Sequence, residues 1–210
     1  MKNIIFFGDS ITEGSNSTMR FTDYIKDTSK EPINVVNKGI SGTTIGEYSI
    51  YPVDGNSLLS IYNKDDRIKN ADTIVLEYGS NDISALMCGF IDIDKIMISF
   101  VKALDGISQL NPSAKIKFLS LTDNDEVLIR YAMLQCAYLE DKYFANYNFK
   151  FPASIWADRY KYFVDAVSKS IEVVPMVLEK EFLTRHIGTD NLHPNETGHK
   201  IIASNIQDLL

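Results

Sequence analysis

Short apolar runs alternate with longer stretches of helical periodicity along this chain. Five runs predict strands, because they are rich in aliphatic and β-branched residues and are too short for helices. They are Asn3–Phe7, Asn34–Asn37, Thr73–Tyr78, Lys115–Leu121 and Glu172–Val174. The first run is apolar without alternation, which is typical of a strand buried on both faces.

Five other stretches predict helices, because most of their apolar residues recur every three or four positions. They are Phe21–Ser29, Ile93–Ile107 with an end near Asn111-Pro112, Val127–Tyr138, Trp156–Ile171, and Pro194–Leu210. Pro194 is expected in the first turn of the last helix, where its missing N–H costs nothing. We interpret the apolar and aromatic stripes of these helices as core.

The alternation of strands and helices predicts an α/β fold with a parallel sheet covered on both faces. A chain of 210 residues, 45% of them hydrophobic, suits one domain over residues 1–210. In such sheets ligands bind beyond the carboxyl ends of the strands. The loops after Phe7, Asn37 and Tyr78 are therefore the places to look for a site.

Charge and composition narrow the classes of partner and location. The net charge of -7 argues against a nucleic-acid partner. No run reaches the roughly 18 apolar residues of a membrane span, and no signal peptide precedes the first polar turn, so we expect a cytoplasmic protein. Cys88 and Cys136 do not form a disulfide framework, and we interpret both as reduced thiols.

Each of the three loops combines glycine with hydrogen-bonding side chains. Their sequences are GDSITEG at residues 8–14, NKGISGT at residues 37–43 and GSND at residues 79–82. Glycine lets the backbone bend sharply and lets other atoms approach closely. One polar strand end indicates only a turn, but three at one edge of a sheet indicate a site.

Ser10 in the first loop is a candidate nucleophile. Hydrolysis by serine needs a base, a group that orients the base, and donors for the oxyanion. Histidine suits the role of base because it titrates near neutral pH. Of His186, His193 and His199, only His193 has a carboxylate three positions before it, Asp190. We interpret the other two histidines as surface residues.

Other chemistries lack their motifs. The GxSxG elbow of α/β-hydrolases, the phosphate-binding P-loop and the GxGxxG dinucleotide fingerprint are all absent from the sequence. His193, His199 and Asp190 show neither an H-E-x-x-H spacing nor a partner cysteine, so we predict no metal and no cofactor.

Four blocks resemble those of the SGNH, or GDSL, hydrolases. GDSIT at the N-terminus, NKGISGT, GSND and the late DNLH at residues 190–193 stand in the order of that family and span nearly the whole chain. Each block alone is a weak signal, and the four together are a strong one. The resemblance implies a flavodoxin-like three-layer α/β/α sandwich with a central five-stranded parallel sheet.

The resemblance also implies a role for each matching residue. Ser10 would be the nucleophile, and its backbone N–H would be one donor to the oxyanion. Gly42 would supply a second N–H and the Asn81 side chain a third. His193 would act as base and then as acid, oriented by Asp190.

Several positions in these blocks keep an alternative interpretation. Gly42 could be a turn glycine, in which case Gly39 is another candidate donor, and Asn81 could cap the segment that follows it. Asp9 and Asp82 are expected to brace their loops rather than to act in catalysis.

The family resemblance implies a serine hydrolase that cleaves carboxylic esters through an acyl-enzyme. No long apolar insertion suggests a fatty-acyl tunnel, so we favour short acyl groups, such as O-acetyl on a carbohydrate. A lysophospholipase, a thioesterase and a catalytically silent glycan-binding module are the alternatives. Tyr48, Tyr51 and Met87 are expected near the pocket, where aromatic residues serve binding and packing alike.

Overall fold

A five-stranded parallel sheet forms the centre of the fold. The computed structural model describes residues 1–50, 55–143, 150–177, 179 and 181–210. The strands are β1 (Lys2–Gly8), β2 (Ile33–Gly39), β3 (Thr73–Glu77), β4 (Lys115–Ser120) and β5 (Glu172–Pro175). They lie in the order β2-β1-β3-β4-β5, and every neighbouring pair is parallel. This is the strand order of flavodoxin-like folds.

The described helices connect and cover these strands. They are α1 (Ser10–Glu13), α2 (Phe21–Thr28), α3 (Leu58–Ile61), α4 (Ser80–Met87), α5 (Ile93–Leu110), α6 (Asp125–Tyr143), α7 (Ala153–Val167), α8 (Phe182–Arg185) and α9 (Glu196–Ile206). Among the described residues, no helix is both long enough and apolar enough to cross a membrane.

The strand register places aromatic residues on opposite faces of the sheet. Phe6 pairs with Val75, whereas Phe118 pairs with Leu76, the next residue of β3. Successive side chains of a strand point to opposite faces. Phe6 and Phe118 therefore mark the two sides of the sheet, and each is fully buried.

Helices cover both of these faces. On one side the ring of Phe6 meets Phe21 of α2 edge-on at 5.5 Å, and α2 packs against α9. On the other side Phe118 contacts Phe100 of α5 and Phe163 of α7 at 5.9 and 5.7 Å. The three-layer α/β/α arrangement implied by the sequence is confirmed.

The five predicted strands are confirmed to within two residues at each end, but the bounds of three helices differ. The helix α6 ends five residues beyond Tyr138, α7 begins three residues before Trp156, and α9 ends at Ile206 instead of Leu210. The predicted helix Trp156–Ile171 extends beyond the end of α7 at Val167. Ile171 lies in the turn after α7 and donates its N–H to Val167 O. Pro194 is not in the first turn of α9. Asn195 caps that helix by accepting from Gly198 N at 3.0 Å, so Pro194 lies before the cap and bridges to Ile187.

Candidate active site

Ser10 lies at the point where the strand order reverses. β1 neighbours both β2 and β3, and the crevice at such a switch point is where open α/β sheets bind ligands. The Asp9 side chain caps α1 by accepting from Ile11 N at 3.1 Å. A Cβ on Gly8 would lie 2.1 Å from Thr12 Oγ1, so only glycine lets α1 fold back so closely over the end of β1. This turn raises Ser10 at the carboxyl edge of the sheet.

Ser10, His193 and Asp190 form a hydrogen-bonded chain. Ser10 Oγ is 2.7 Å from His193 Nε2, and His193 Nδ1 is 2.5 Å from Asp190 Oδ2. With the Nδ1 proton directed at the carboxylate, Nε2 is left as the acceptor for the Ser10 hydroxyl. Ser10 is 8% exposed and His193 is part-buried, so the serine hydroxyl and the imidazole meet in a site shielded from bulk water.

Asp190 is fixed by the backbone of its own loop. Its Oδ1 accepts from the N–H groups of Leu192 and His193 at 3.0 and 3.1 Å. Burial acts to raise the pKa of Asp190, but the hydrogen bonds from His193 and from these two backbone groups outweigh it and lower the pKa below its usual value. Asp190 is therefore a carboxylate that can stabilise a positive charge on His193.

The loop that carries these two residues is closed by backbone hydrogen bonds. Gly188 N donates to His193 O at 2.7 Å, and Asn195 N donates to His186 O at 2.9 Å. Asn191 has a φ of 59°, a left-handed conformation that asparagine tolerates better than most residues. The left-handed turn lets Asp190 and His193 face the same side.

Two backbone N–H groups near Ser10 are free to donate. Within the described part of the chain, neither Ser10 N nor Gly42 N has an acceptor. The loop of Gly42 is tied to the end of β1, because Ile40 N donates to Gly8 O at 3.0 Å. Gly39 N, in contrast, donates to Asn37 Oδ1 at 2.8 Å. Of the two candidate glycines, Gly42 is the one with a free N–H.

Asn81 lies in the first turn of α4 and joins two of the loops. Its Nδ2 donates to Thr43 O at 3.0 Å and to Asp9 Oδ2 at 3.2 Å. These two bonds use both protons of the amide nitrogen. The side chain is 6% exposed and holds the loop of Gly42 beside Asp9.

Asp82 braces the same loop, as the sequence predicts. Its Oδ1 accepts from Ile45 N at 2.9 Å and from Tyr48 Oη at 2.7 Å, while Oδ2 accepts from Gly79 N at 3.2 Å. Burial raises the pKa of Asp82 to about 6. Tyr48 is thereby tied into the framework behind the site, and Tyr51, also expected near the pocket, lies outside the described residues.

The prediction that His199 is a surface residue was wrong. It is fully buried between α9 and α2, where its ring stacks on Phe21 and Nδ1 accepts from Phe21 N at 3.3 Å. Its spacing from Ile202 and Ile206 places it on the inward stripe of α9, and that signal could have revealed it. His186 is also partly buried and lies edge-on to Phe182.

Two residues near the site were not singled out from the sequence. Glu77, at the end of β3, is 2% exposed and accepts from Thr12 Oγ1 at 2.9 Å. An acid in an otherwise apolar strand is the signal that could have revealed it. Tyr138 of α6 presents its ring to His193 at 6.2 Å and 83°, although its helical spacing suggested only core packing. Among the described residues, no three potential metal ligands are grouped together.

Comparisons with known proteins agree with the fold. The family described as GDSL-like Lipase/Acylhydrolase matches residues 4–206. The lipase Lip_vut3 from a goat rumen metagenome has a TM-score of 0.62 at 12% identity, over 99% of this chain and 97% of its own. A comparison with curated protein sequences gives no significant match.

Two further solved structures share the fold. A G-D-S-L family protein from Desulfitobacterium hafniense matches with a TM-score of 0.60 and 14% identity over 100% of both chains. A family two carbohydrate esterase from Clostridium thermocellum, in complex with cellohexaose, matches with a TM-score of 0.62 and 14% identity, over 99% of this chain and 63% of its own. With the match to residues 4–206, the chain belongs to the GDSL-like lipase/acylhydrolase family.

Proposed function

We propose that the chain is a serine hydrolase that cleaves carboxylic esters through an acyl-enzyme. The observation that carries this proposal is the continuous chain of hydrogen bonds from Ser10 Oγ through the His193 ring to Asp190, with distances of 2.7 and 2.5 Å. A nucleophile within hydrogen-bond reach of a base, which a third group orients, is the arrangement that acyl transfer by serine requires.

In the first half of the reaction, Ser10 Oγ attacks the carbonyl carbon of the ester. Its proton moves to His193 Nε2, and the imidazolium that forms is stabilised by the Asp190 carboxylate. The carbon–oxygen bond to the alcohol then breaks, and His193 returns the proton to the leaving oxygen. An acyl group remains on Ser10.

The negative charge on the carbonyl oxygen needs donors that are already in place. The free N–H groups of Ser10 and Gly42 support this role for both residues. Asn81 is the proposed third donor. To act in this role, its amide must redirect towards the oxyanion one Nδ2 proton that it now donates to Asp9 or to Thr43 O.

In the second half, water replaces the alcohol. His193 takes a proton from the water as it attacks the acyl carbon, and then gives that proton to Ser10 Oγ as the carboxylic acid leaves. The chemistry uses no cofactor and no metal, so a chelator should leave the rate unchanged.

The proposal is tested by replacing the nucleophile. We expect Ser10→Ala to abolish hydrolysis of p-nitrophenyl acetate and labelling by a fluorophosphonate probe, while circular dichroism shows an unchanged fold. Ser15→Ala, a change at a half-buried serine in the turn after α1, is the matched control and should keep both signals. Activity retained by Ser10→Ala would contradict the assignment, and a wild-type protein that takes up no probe would favour a silent binding module.

For the substrate, we propose a short acyl group such as O-acetyl on a carbohydrate. The absence of a long apolar insertion from the sequence supports a small acyl pocket, and one structural relative is a carbohydrate esterase. We expect kcat/KM to fall from p-nitrophenyl acetate through butyrate and octanoate to palmitate, and acetylated xylan to be deacetylated. A preference for palmitate, for a lysophospholipid or for an acyl thioester would contradict this choice.

A further inference from the structure

Two buried carboxyl groups meet beside Asn81, one of the proposed oxyanion donors. Strand register places Glu77 beside Gly8, the residue before Asp9. Asp9 and Glu77 are 1% and 2% exposed, and their carboxyl groups are within hydrogen-bonding reach of each other. Two carboxylates cannot form a hydrogen bond without a proton between them. The mechanism described above gives this pair no role.

The partners of Asp9 identify it as the ionised member of the pair. Its Oδ1 accepts from Ile11 N at 3.1 Å, while Oδ2 accepts from Ser80 Oγ at 2.8 Å and from Asn81 Nδ2 at 3.2 Å. A backbone N–H and an amide N–H are obligatory donors, so the Asp9 oxygens act as acceptors. The proton between the two groups then belongs to Glu77.

Glu77 is cut off from water, which favours a neutral acid. The hydrogen bonds that it accepts from Thr12 Oγ1 at 2.9 Å and from the Asp9 backbone act in the opposite direction and lower its pKa, but burial outweighs them. Burial raises its pKa well above the usual value, and the negative charge of Asp9 raises it further. The titratable groups with an electrostatic influence in this region are His193, Tyr78, Tyr131, Tyr160 and Asp82. None of these supplies a fixed positive charge that would favour ionisation of Glu77.

We propose that Glu77 is protonated and donates a hydrogen bond to the Asp9 carboxylate. By this hydrogen bond Glu77 positions Ser80 and Asn81 for catalysis. This inference rests on the proposed ester hydrolysis and adds a positioning residue to it. The donated hydrogen bond fixes the Asp9 carboxylate, which in turn orients the Asn81 amide beside the loop of Gly42. The shared proton also keeps the pair at a single negative charge. A second charge there would oppose the charge that develops on the substrate oxygen.

Two substitutions of Glu77 separate positioning from simple packing. Glu77→Gln keeps a neutral donor of the same shape, so we expect kcat for p-nitrophenyl acetate to stay within about threefold of the wild-type value. Glu77→Leu fills similar space but donates nothing, so we expect kcat to fall about tenfold or more with little change in KM. Thermal unfolding of both variants verifies that each is folded at the assay temperature.

A second measurement detects the proton without relying on activity. Infrared spectra of the wild-type protein at neutral pH should contain the carbonyl stretch of a protonated carboxyl group, and Glu77→Gln should lack that band. A missing band in the wild type would overturn the inference, as would an equal loss of kcat in both variants. If the wild type shows no Ser10-dependent hydrolysis, the proposed function fails, and the infrared band still decides whether the pair of Asp9 and Glu77 holds a proton.

Discussion

Hydrogen bonds fix the orientation of the side chains in the candidate site. Asp190 uses Oδ1 for two backbone N–H groups and Oδ2 for His193. The spacing of three residues between Asp190 and His193 was the feature that singled out His193 among the three histidines of the sequence. The sequence could not predict which protons of Asn81 are already used, because its partners, Asp9 and Thr43, come from two distant loops.

Asn81 is the site residue whose proposed role is most open to test. We expect Asn81→Ala to lower kcat by about 100- to 1,000-fold with a much smaller change in KM, since an oxyanion donor acts mainly in the transition state. Steady-state kinetics with p-nitrophenyl acetate measure this split.

The control for that substitution is Asn81→Leu. This variant fills similar space but has no N–H to donate, so we expect a loss of kcat about as large. An Asn81→Ala variant that raises KM and leaves kcat unchanged would show that the residue contributes to binding and not to the oxyanion.

At the level of secondary-structure elements, the burial of a strand explains how well its position could be predicted from the sequence. The strand β1 lies between two other strands, and helices cover both faces of the sheet, so its buried residues are apolar. Its boundaries could therefore be predicted from the apolar run. Glu77 lies inside the predicted strand Thr73–Tyr78, but the sequence does not show which side chains surround its carboxyl group. Its burial depends on Thr12 and Asp9, which reach it from α1 and the loop before that helix.

Helix faces were predictable wherever the repeat was purely apolar. The stripe of α5 from Ile93 to Ile107 lies within the observed helix. On α9, a polar residue at an inward position was interpreted by its chemistry instead of its spacing, and His199 was placed at the surface. Its burial against Phe21 follows from the packing of α9 on α2, which local periodicity does not specify.

On the scale of the whole molecule, the site depends on the parallel sheet. Ser10 and His193 are 183 residues apart in sequence, yet their side chains are hydrogen-bonded. Parallel strands direct all of their carboxyl ends to one edge, so loops far apart in sequence converge there. This geometry made the location of the site predictable. The side-chain contacts behind it, including the pair of Asp9 and Glu77, depend on packing in three dimensions.

The pH dependence of folding stability is also a property of the whole molecule, and His199 makes a separable contribution to it. Burial, helped by the nearby charge of His193 and opposed by that of Asp23, lowers the pKa of His199 from 6.5 to about 4. The folded protein therefore resists protonation at a position where the unfolded chain accepts a proton. The contribution of His199 to the free energy of unfolding is therefore fully present above about pH 6.5. It is lost as the pH falls towards 4, because the unfolded chain is protonated first.

We therefore expect His199→Asn to weaken the acid dependence of stability. The asparagine Oδ1 can still accept from Phe21 N, but the side chain does not titrate. Urea unfolding between pH 7 and pH 4 should show the wild type losing up to about 3 kcal/mol more than the variant, which corresponds to the displaced pKa. His199→Phe, which keeps an aromatic ring against Phe21, should show the same weaker dependence. Stability curves of wild type and variants that run parallel across this range would contradict the assignment, because a lower but equally steep curve reports only lost packing.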